Sequence, residues 1–343
     1  MIVLFRLRVA LAVLLAACAS VRGQSFSVTV PNYVGTKLFD SAAGTLITGM
    51  AADAVGNVYY IQTDVAGFGD TFLYKRSAMD SYANPTPLCN LGFRVGGAFV
   101  VCSGSTVYFG DNTEGNIYSI NNDGSGFDPL GTIASAKSDA KFVNGHLFIT
   151  YDGGNSNTLL SRFDLIADGA GGKVLANENV IVNAARDPSG VFEYAGAELY
   201  YGASGYDISK GIYKFSQAEV DGAITAGELT LQANHKFGTT TTNSVGALAF
   251  GGGVDLWKDD PFSTDLRLFS RFNGGVSVIG SAGLNSTLGQ LDFGGESLGP
   301  GALFMNVSDN VNYRSAIYRL AVPEPSSALM LLAGSLVLAR RRR

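Results

Sequence analysis

The sequence predicts an all-β protein, and within that class a six-bladed β-propeller. Three observations carry the prediction. Glycine makes up 44 of 343 residues, almost twice its usual share, with only nine prolines and no Gly-X-Y period, which excludes collagen and points to many tight turns. A unit then recurs along the chain: an apolar strand, a Gly turn, a strand rich in Tyr or Phe, a polar loop, and a closing strand of the form apolar-Tyr-basic-apolar. Finally, the closing strands, anchored at Tyr74, Tyr118, Ser161, Tyr213, Ser270 and Tyr318, lie 43 to 57 residues apart, the length of a four-stranded blade. A β-sandwich, or a pair of them, is the alternative that the same strand density allows.

Before the first unit, Phe26-Ser27-Val28-Thr29-Val30 alternates with period two and is expected to pair into the last blade, since an open β edge invites aggregation. The first unit reads Gly49–Asp53, turns at Gly56-Asn57, continues Val58–Ile61 and closes with Phe72–Lys75. The second has Ala98–Val101, Val107–Phe109 and Ile117–Ile120. Ala140–Val143, Asn144-Gly145, Leu147–Ile149 and Leu160–Phe163 form the third, and Val191–Tyr194, Leu199–Tyr201 and Ile212–Phe215 the fourth. A fifth runs through Ala247–Phe250, Leu256-Trp257 and Phe269–Phe272, and a looser sixth through Ala302–Met305 and Ile317–Leu320. Asn-Gly and Gly turns suit the hairpins, and aromatic and β-branched residues suit the contacts between blades. Ser216 before Gln217-Ala218-Glu219 predicts a short helix that decorates a loop. The turn Asn121–Phe127 after Ile117–Ile120 resembles the closing turn of TolB-like propellers.

The two ends divide the chain into residues 1–23, 24–321 and 322–343. Arg6 and Arg8, the apolar run Val9–Ala17 and the small residues that follow have the order of a secretory signal peptide, cut by signal peptidase before Ser20 or before Gln24. Leu15-Ala16-Ala17-Cys18 also resembles the lipobox of bacterial lipoproteins, which makes Cys18 a candidate lipidation site. At the other end stand Pro323-Glu324-Pro325, an apolar stretch from Ser326 to Ala339, and Arg340-Arg341-Arg342-Arg343. The prolines keep the tripeptide extended. The apolar stretch reads as a short transmembrane helix of roughly 21 Å, less than the ~30 Å hydrocarbon core, and the arginines stop it on the cytoplasmic side.

This tail resembles the PEP-CTERM sorting signal of Gram-negative bacteria over about 22 residues. The resemblance implies processing by an exosortase at or near Pro323-Glu324-Pro325, as a hydrophobic address rather than a final anchor. It also implies an exported protein of the cell envelope, cell surface or extracellular matrix, with exopolysaccharide or envelope proteins as partners.

No motif of catalysis stands out. There is no P-loop, dinucleotide fingerprint or nucleophile elbow, and His146 and His235 lie far apart without metal-ligand spacing. His146, after Asn144-Gly145, reads as an exposed turn residue. The clusters Asn121–Asp128, Asp152–Asn155, Asp164–Asp168 and Asp259-Asp260 offer oxygen ligands for Ca²⁺ but none completes a calcium loop, and Asp and Asn are also turn residues. Cys89 and Cys102 form a candidate disulfide, permitted by export. Removing leader and tail leaves residues 24–322 with 17 basic and 28 acidic side chains, a formal charge of -11. Nucleic acid is excluded as a general partner, while cations, neutral glycans and proteins suit the body. The expected role is a non-catalytic structural or glycan- or protein-binding module. The alternative is a secreted metal-dependent lyase or hydrolase working at the central channel.

Overall fold

The computed structural model describes residues 24–321 apart from residues 32, 68, 94–95, 135, 188–189, 205–209, 238–244, 252–253, 259–263, 270–275, 284, 296 and 298–300. Residues 1–23, with Cys18, and the C-terminal residues 322–343 lie outside the described residues, as do Asp259 and Asp260. Strands β1 (Phe26–Val28) and β2 (Val34–Asp40) precede the first blade. Blade I is β3 (Thr45–Ala52), β4 (Val58–Asp64), β5 (Asp70–Arg76) and β6 (Pro85–Phe93). Blade II is β7 (Gly97–Ser103), β8 (Thr106–Asp111), β9 (Asn116–Asn121) and β10 (Asp128–Thr132). Blade III is β11 (Ala136–Val143), β12 (His146–Gly154), β13 (Asn157–Ala167) and β14 (Lys173–Ala184).

Blade IV has β15 (Val191–Ala195), β16 (Glu198–Ala203) and β17 (Gly211–Ser216), followed by helix α1 (Gln217–Ala226) and β18 (Leu229–Thr230). β18 joins blade III, parallel to β14. Blade V is β19 (Ala247–Gly251), β20 (Val254–Lys258), β21 (Asp265–Phe269) and β22 (Val276–Ala282), and blade VI is β23 (Ser286–Gly294), β24 (Ala302–Asp309) and β25 (Arg314–Ala321). Successive strands within each blade are antiparallel, and the sheet order confirms six blades.

Alternation along the second strands explains why the blades stack. Tyr59 packs toward blade II with Val100 and Phe109, whereas Tyr60 faces the other way, against Phe304 and Ile317 of blade VI. Tyr200 and Tyr201 repeat the device, packing against Leu248 of blade V and Phe148 of blade III. Neighbouring residues on a strand point to opposite faces, so a Tyr-Tyr pair fills two blade interfaces at once. All four rings are at most 1% exposed, which makes them core residues. At the Asn144-Gly145 hairpin both residues have positive φ, 51° and 87°, the type I′ geometry that such a pair favours.

Closure differs from the expectation at its first strand. Phe26–Val28 does pair by strand addition, but onto β22 of blade V, with Phe26 opposite Ala282 and Val28 opposite Gly280. The fourth strand of blade VI is β2, which runs antiparallel to β25 with Val34 opposite Ala321 and Asp40 opposite Ala316. Five of its seven residues are exposed, so β2 has no apolar alternation to announce it. Phe39 alone is buried, in the cluster that holds Tyr60 and Ile317. Side chains complete the seam between blades VI and I: Ser315 Oγ accepts from Ile47 N at 3.0 Å, and Asn306 Nδ2 donates to Ile47 O at 2.9 Å. Gly289 makes this possible, because a Cβ there would stand 1.7 Å from Asn306 Oδ1.

Two further boundaries move. The closing strand of blade V is Asp265–Phe269, earlier than Phe269–Phe272, whose last three residues lie outside the described residues. In blade VI, Ala302–Met305 belongs to the second strand, and the inner strand is Ser286–Gly294.

Candidate functional site: the central channel

The six innermost strands, β3, β7, β11, β15, β19 and β23, surround an axial cavity of about 560 Å³. All six strands contribute lining residues, among them charged side chains that stand between apolar neighbours. Asp139 and Lys141 come from β11, Glu193 from β15 and Asp292 from β23, and all four line the cavity. Lys141 Nζ lies 2.9 Å from Glu193 Oε2 on the adjoining blade and 3.7 Å from Asp292 Oδ1 on blade VI. Blades III and VI are opposite in a ring of six, so this side chain spans the channel as a crossbar.

The carboxylates are also tied to the wall. Asp139 Oδ2 accepts from Phe192 N at 2.8 Å, and Asp292 Oδ2 accepts from Ala52 N at 2.8 Å. Beside them Gln290 Oε1 accepts from Met50 N at 2.6 Å, while Gln290 Nε2 reaches Ala98 O at 3.5 Å. Each bond joins two blades. Burial pushes the Asp139 carboxyl up to about 7, with Lys141 opposing the shift. Burial alone would depress Lys141, but the carboxylates of Glu193, Asp292 and Asp139 outweigh it and hold the ammonium above its ordinary value. The site therefore holds one firmly charged ammonium among carboxylates from three blades.

None of these four residues belongs to the candidate site residues read from sequence. The signal was present: Asp139-Ala140-Lys141, Phe192-Glu193-Tyr194 and Leu291-Asp292-Phe293 each place charge within an apolar strand of period two. The positions singled out instead do other work. His146 is half-buried rather than exposed, with Nδ1 2.8 Å from Asp164 Oδ1, and Asn177 Nδ2 donates to the same carboxylate at 2.9 Å. The hydrogen bond from Asn177, helped by His146 and Arg162, holds Asp164 below the usual carboxylate range despite some burial.

The carboxylates read as calcium ligands hold their own turns. Asp123 accepts from Ser125 N, Asp152 from Gly154 N, and Asp168 from Ala170 N and Gly172 N. Among the described residues no three His, Cys, Asp or Glu side chains form a metal-binding group.

Cys89 and Cys102 are free thiols. Cys89 sits on the outermost strand of blade I and Cys102 on the innermost strand of blade II, about three strand spacings or ~14 Å apart in the radial direction, beyond disulfide reach. Burial raises both thiols, Cys89 to about 11. The ends of the chain, with Pro323, Glu324, Pro325 and Arg340 to Arg343, lie outside the described residues. Among the described residues no helix is long and apolar enough to cross a membrane.

Fold and channel define a six-bladed β-propeller, and solved structures agree. The chain resembles a luciferin-regenerating enzyme (13% identity, 84% of this chain and 95% of that one, TM-score 0.55). A structural-genomics protein of unknown function from Bacteroides thetaiotaomicron is also similar (15% identity, 88% and 76%, TM-score 0.53). So is a chain of the mitotic checkpoint complex (8% identity, 85% and 94%, TM-score 0.55). At such identities the likeness is one of fold. No curated protein matches the sequence at a significant level. The family described as the PEP-CTERM protein-sorting motif matches residues 321–343. The chain thus carries a PEP-CTERM sorting motif behind a propeller, which implies export to the cell envelope or surface and processing by an exosortase.

Proposed function

We propose that the mature protein is a surface-displayed binding module that takes a neutral, hydroxyl-rich ligand, a glycan unit, in its central channel. The observation that supports this reading is the axial cavity of about 560 Å³ with Lys141 fixed between Glu193 and Asp292. Its carboxylates and ammonium are already oriented by one another and by backbone amides, so they need no reordering to meet sugar hydroxyls. The acidic body disfavours polyanions. The sorting motif at residues 321–343 supports export and an exosortase as processing partner; the reading adds signal peptidase at the N-terminal segment and the cell surface or matrix of a Gram-negative bacterium as destination.

Calorimetry with neutral and anionic oligosaccharides tests the reading: heat with neutral glycans, weakened in Glu193→Gln, is expected. A second reading, a lyase or hydrolase, draws on Asp139, whose carboxyl near 7 suits a general base. Glycan cleavage that is lost in Asp139→Asn, with or without added calcium, would replace the first reading with the second.

A further inference from the structure

We infer that, before processing, the propeller rests on the lipid bilayer through the end of the ring from which the sorting tail leaves. The inference depends on the tail being membrane-inserted, as the sorting reading requires. β25 is an interior strand: at its last residue, Ala321 pairs with Ala302 of β24 on one side and Val34 of β2 on the other. Leu320 is fully buried, so the chain is held in the sheet up to the tail. Only Val322, Pro323, Glu324 and Pro325 separate Ala321 from the apolar stretch that begins at Ser326. Those five steps reach at most ~18 Å. The headgroup layer takes up ~6 Å of that, which leaves too little room for a folded protein between ring and bilayer.

The end of the ring so placed carries exposed apolar side chains. Val34, beside Ala321, is 60% exposed. Gly295 N and Ser297 N donate to Asp53 O and Ala54 O, so the loop leading to Ala302 adjoins the β3–β4 turn with exposed Val55. Asn57 Oδ1 accepts from Ala78 N at 3.1 Å, which brings in the β5–β6 turn and Met79, 99% exposed. Phe127 and Ile166 are exposed at the same end of blades II and III. The opposite end has exposed apolar side chains of its own, Phe93, Val311 and Tyr313, so it is the tether that selects the end facing the bilayer.

The test uses the full chain with its tail, reconstituted into vesicles of phosphatidylcholine and phosphatidylglycerol that contain brominated lipid. Tryptophan is introduced at the tail-exit end, Met79→Trp and Val55→Trp, or at the opposite end, Val311→Trp, and its emission is read above the Trp257 background. The expected result is co-flotation of every variant, with the Met79→Trp and Val55→Trp emission largely quenched and that of Val311→Trp unchanged. Equal, weak quenching in co-floating variants overturns the docking and spares the sorting reading. Failure to co-float overturns both. Quenching that appears only in membranes containing the exosortase makes the enzyme the occupant and overturns docking on lipid.

Discussion

Lys141 stands between carboxylates of two different blades, and removing its charge takes a cation from both. Lys141→Met leaves Glu193 and Asp292, 12% and 23% exposed at their side chains, without their cation. Breaking a buried pair from one side costs about 3–5 kcal/mol, and the partly open channel places this case near the lower end; a urea midpoint measures it. Asp139 has the opposite sensitivity. Its folded pKa is raised to about 7 above an unfolded value of ~3.9, so the folded state binds more protons between these values. The stability Asp139 contributes is complete below ~4 and is lost as pH rises through about 7. Asp139→Asn is therefore expected to reduce the fall in stability between pH 4 and 7, as seen in chemical denaturation at several pH values. Glu219 and Asp309, both lowered, act in the other direction and lose their contribution as pH falls.

Elements differ in how plainly they were written in the chain. The second and third strands of blades I to IV were legible because apolar, aromatic residues alternate there and turns close them. The helix start was equally clear: Ser216 Oγ accepts from Glu219 N, and Glu219 Oε2 accepts from Ser216 N, a complete capping box. Ser216→Ala is expected to cost about 1 kcal/mol, detected as earlier hydrogen exchange in α1 with little change elsewhere. β2 was missed because a strand on the rim of a blade keeps most side chains in water, so closure leaves no hydrophobic pattern. The inner strand of blade VI was missed for a related reason: Gly289, Gln290 and Asp292 interrupt Leu288 and Leu291 with groups that serve the seam and the channel. The channel charges were hidden in the same way, since a pattern search reads Asp139 or Glu193 as a flaw in an apolar strand. Cys89 and Cys102, near in sequence, were separated by the radial build of the blades, which spacing along the chain does not report.

For the whole molecule, β1 and β2 join the first described strands to the last two blades. Deleting residues 24–40 removes β1 and β2, uncovers the outer edges of β22 and β25, and takes Phe39 out of its cluster. Loss of a buried Phe side chain alone is worth about 3–5 kcal/mol, and exposed strand edges template association. The truncated chain is expected to aggregate or unfold in one step at much lower denaturant, which size-exclusion chromatography and a denaturation curve will show.

The clasp of β2 on β25 also sets an order of events as the chain folds. β2 emerges early and has no partner until β25, the last of the described strands, has followed; such long-range pairing folds slowly. A chain broken off anywhere before Arg314 cannot shut the ring. Because the sorting motif begins where β25 ends, a polypeptide that displays this address also holds every strand that closure requires. A chain that stops before Arg314 therefore lacks both the strand that clasps β2 and the sorting motif at residues 321–343.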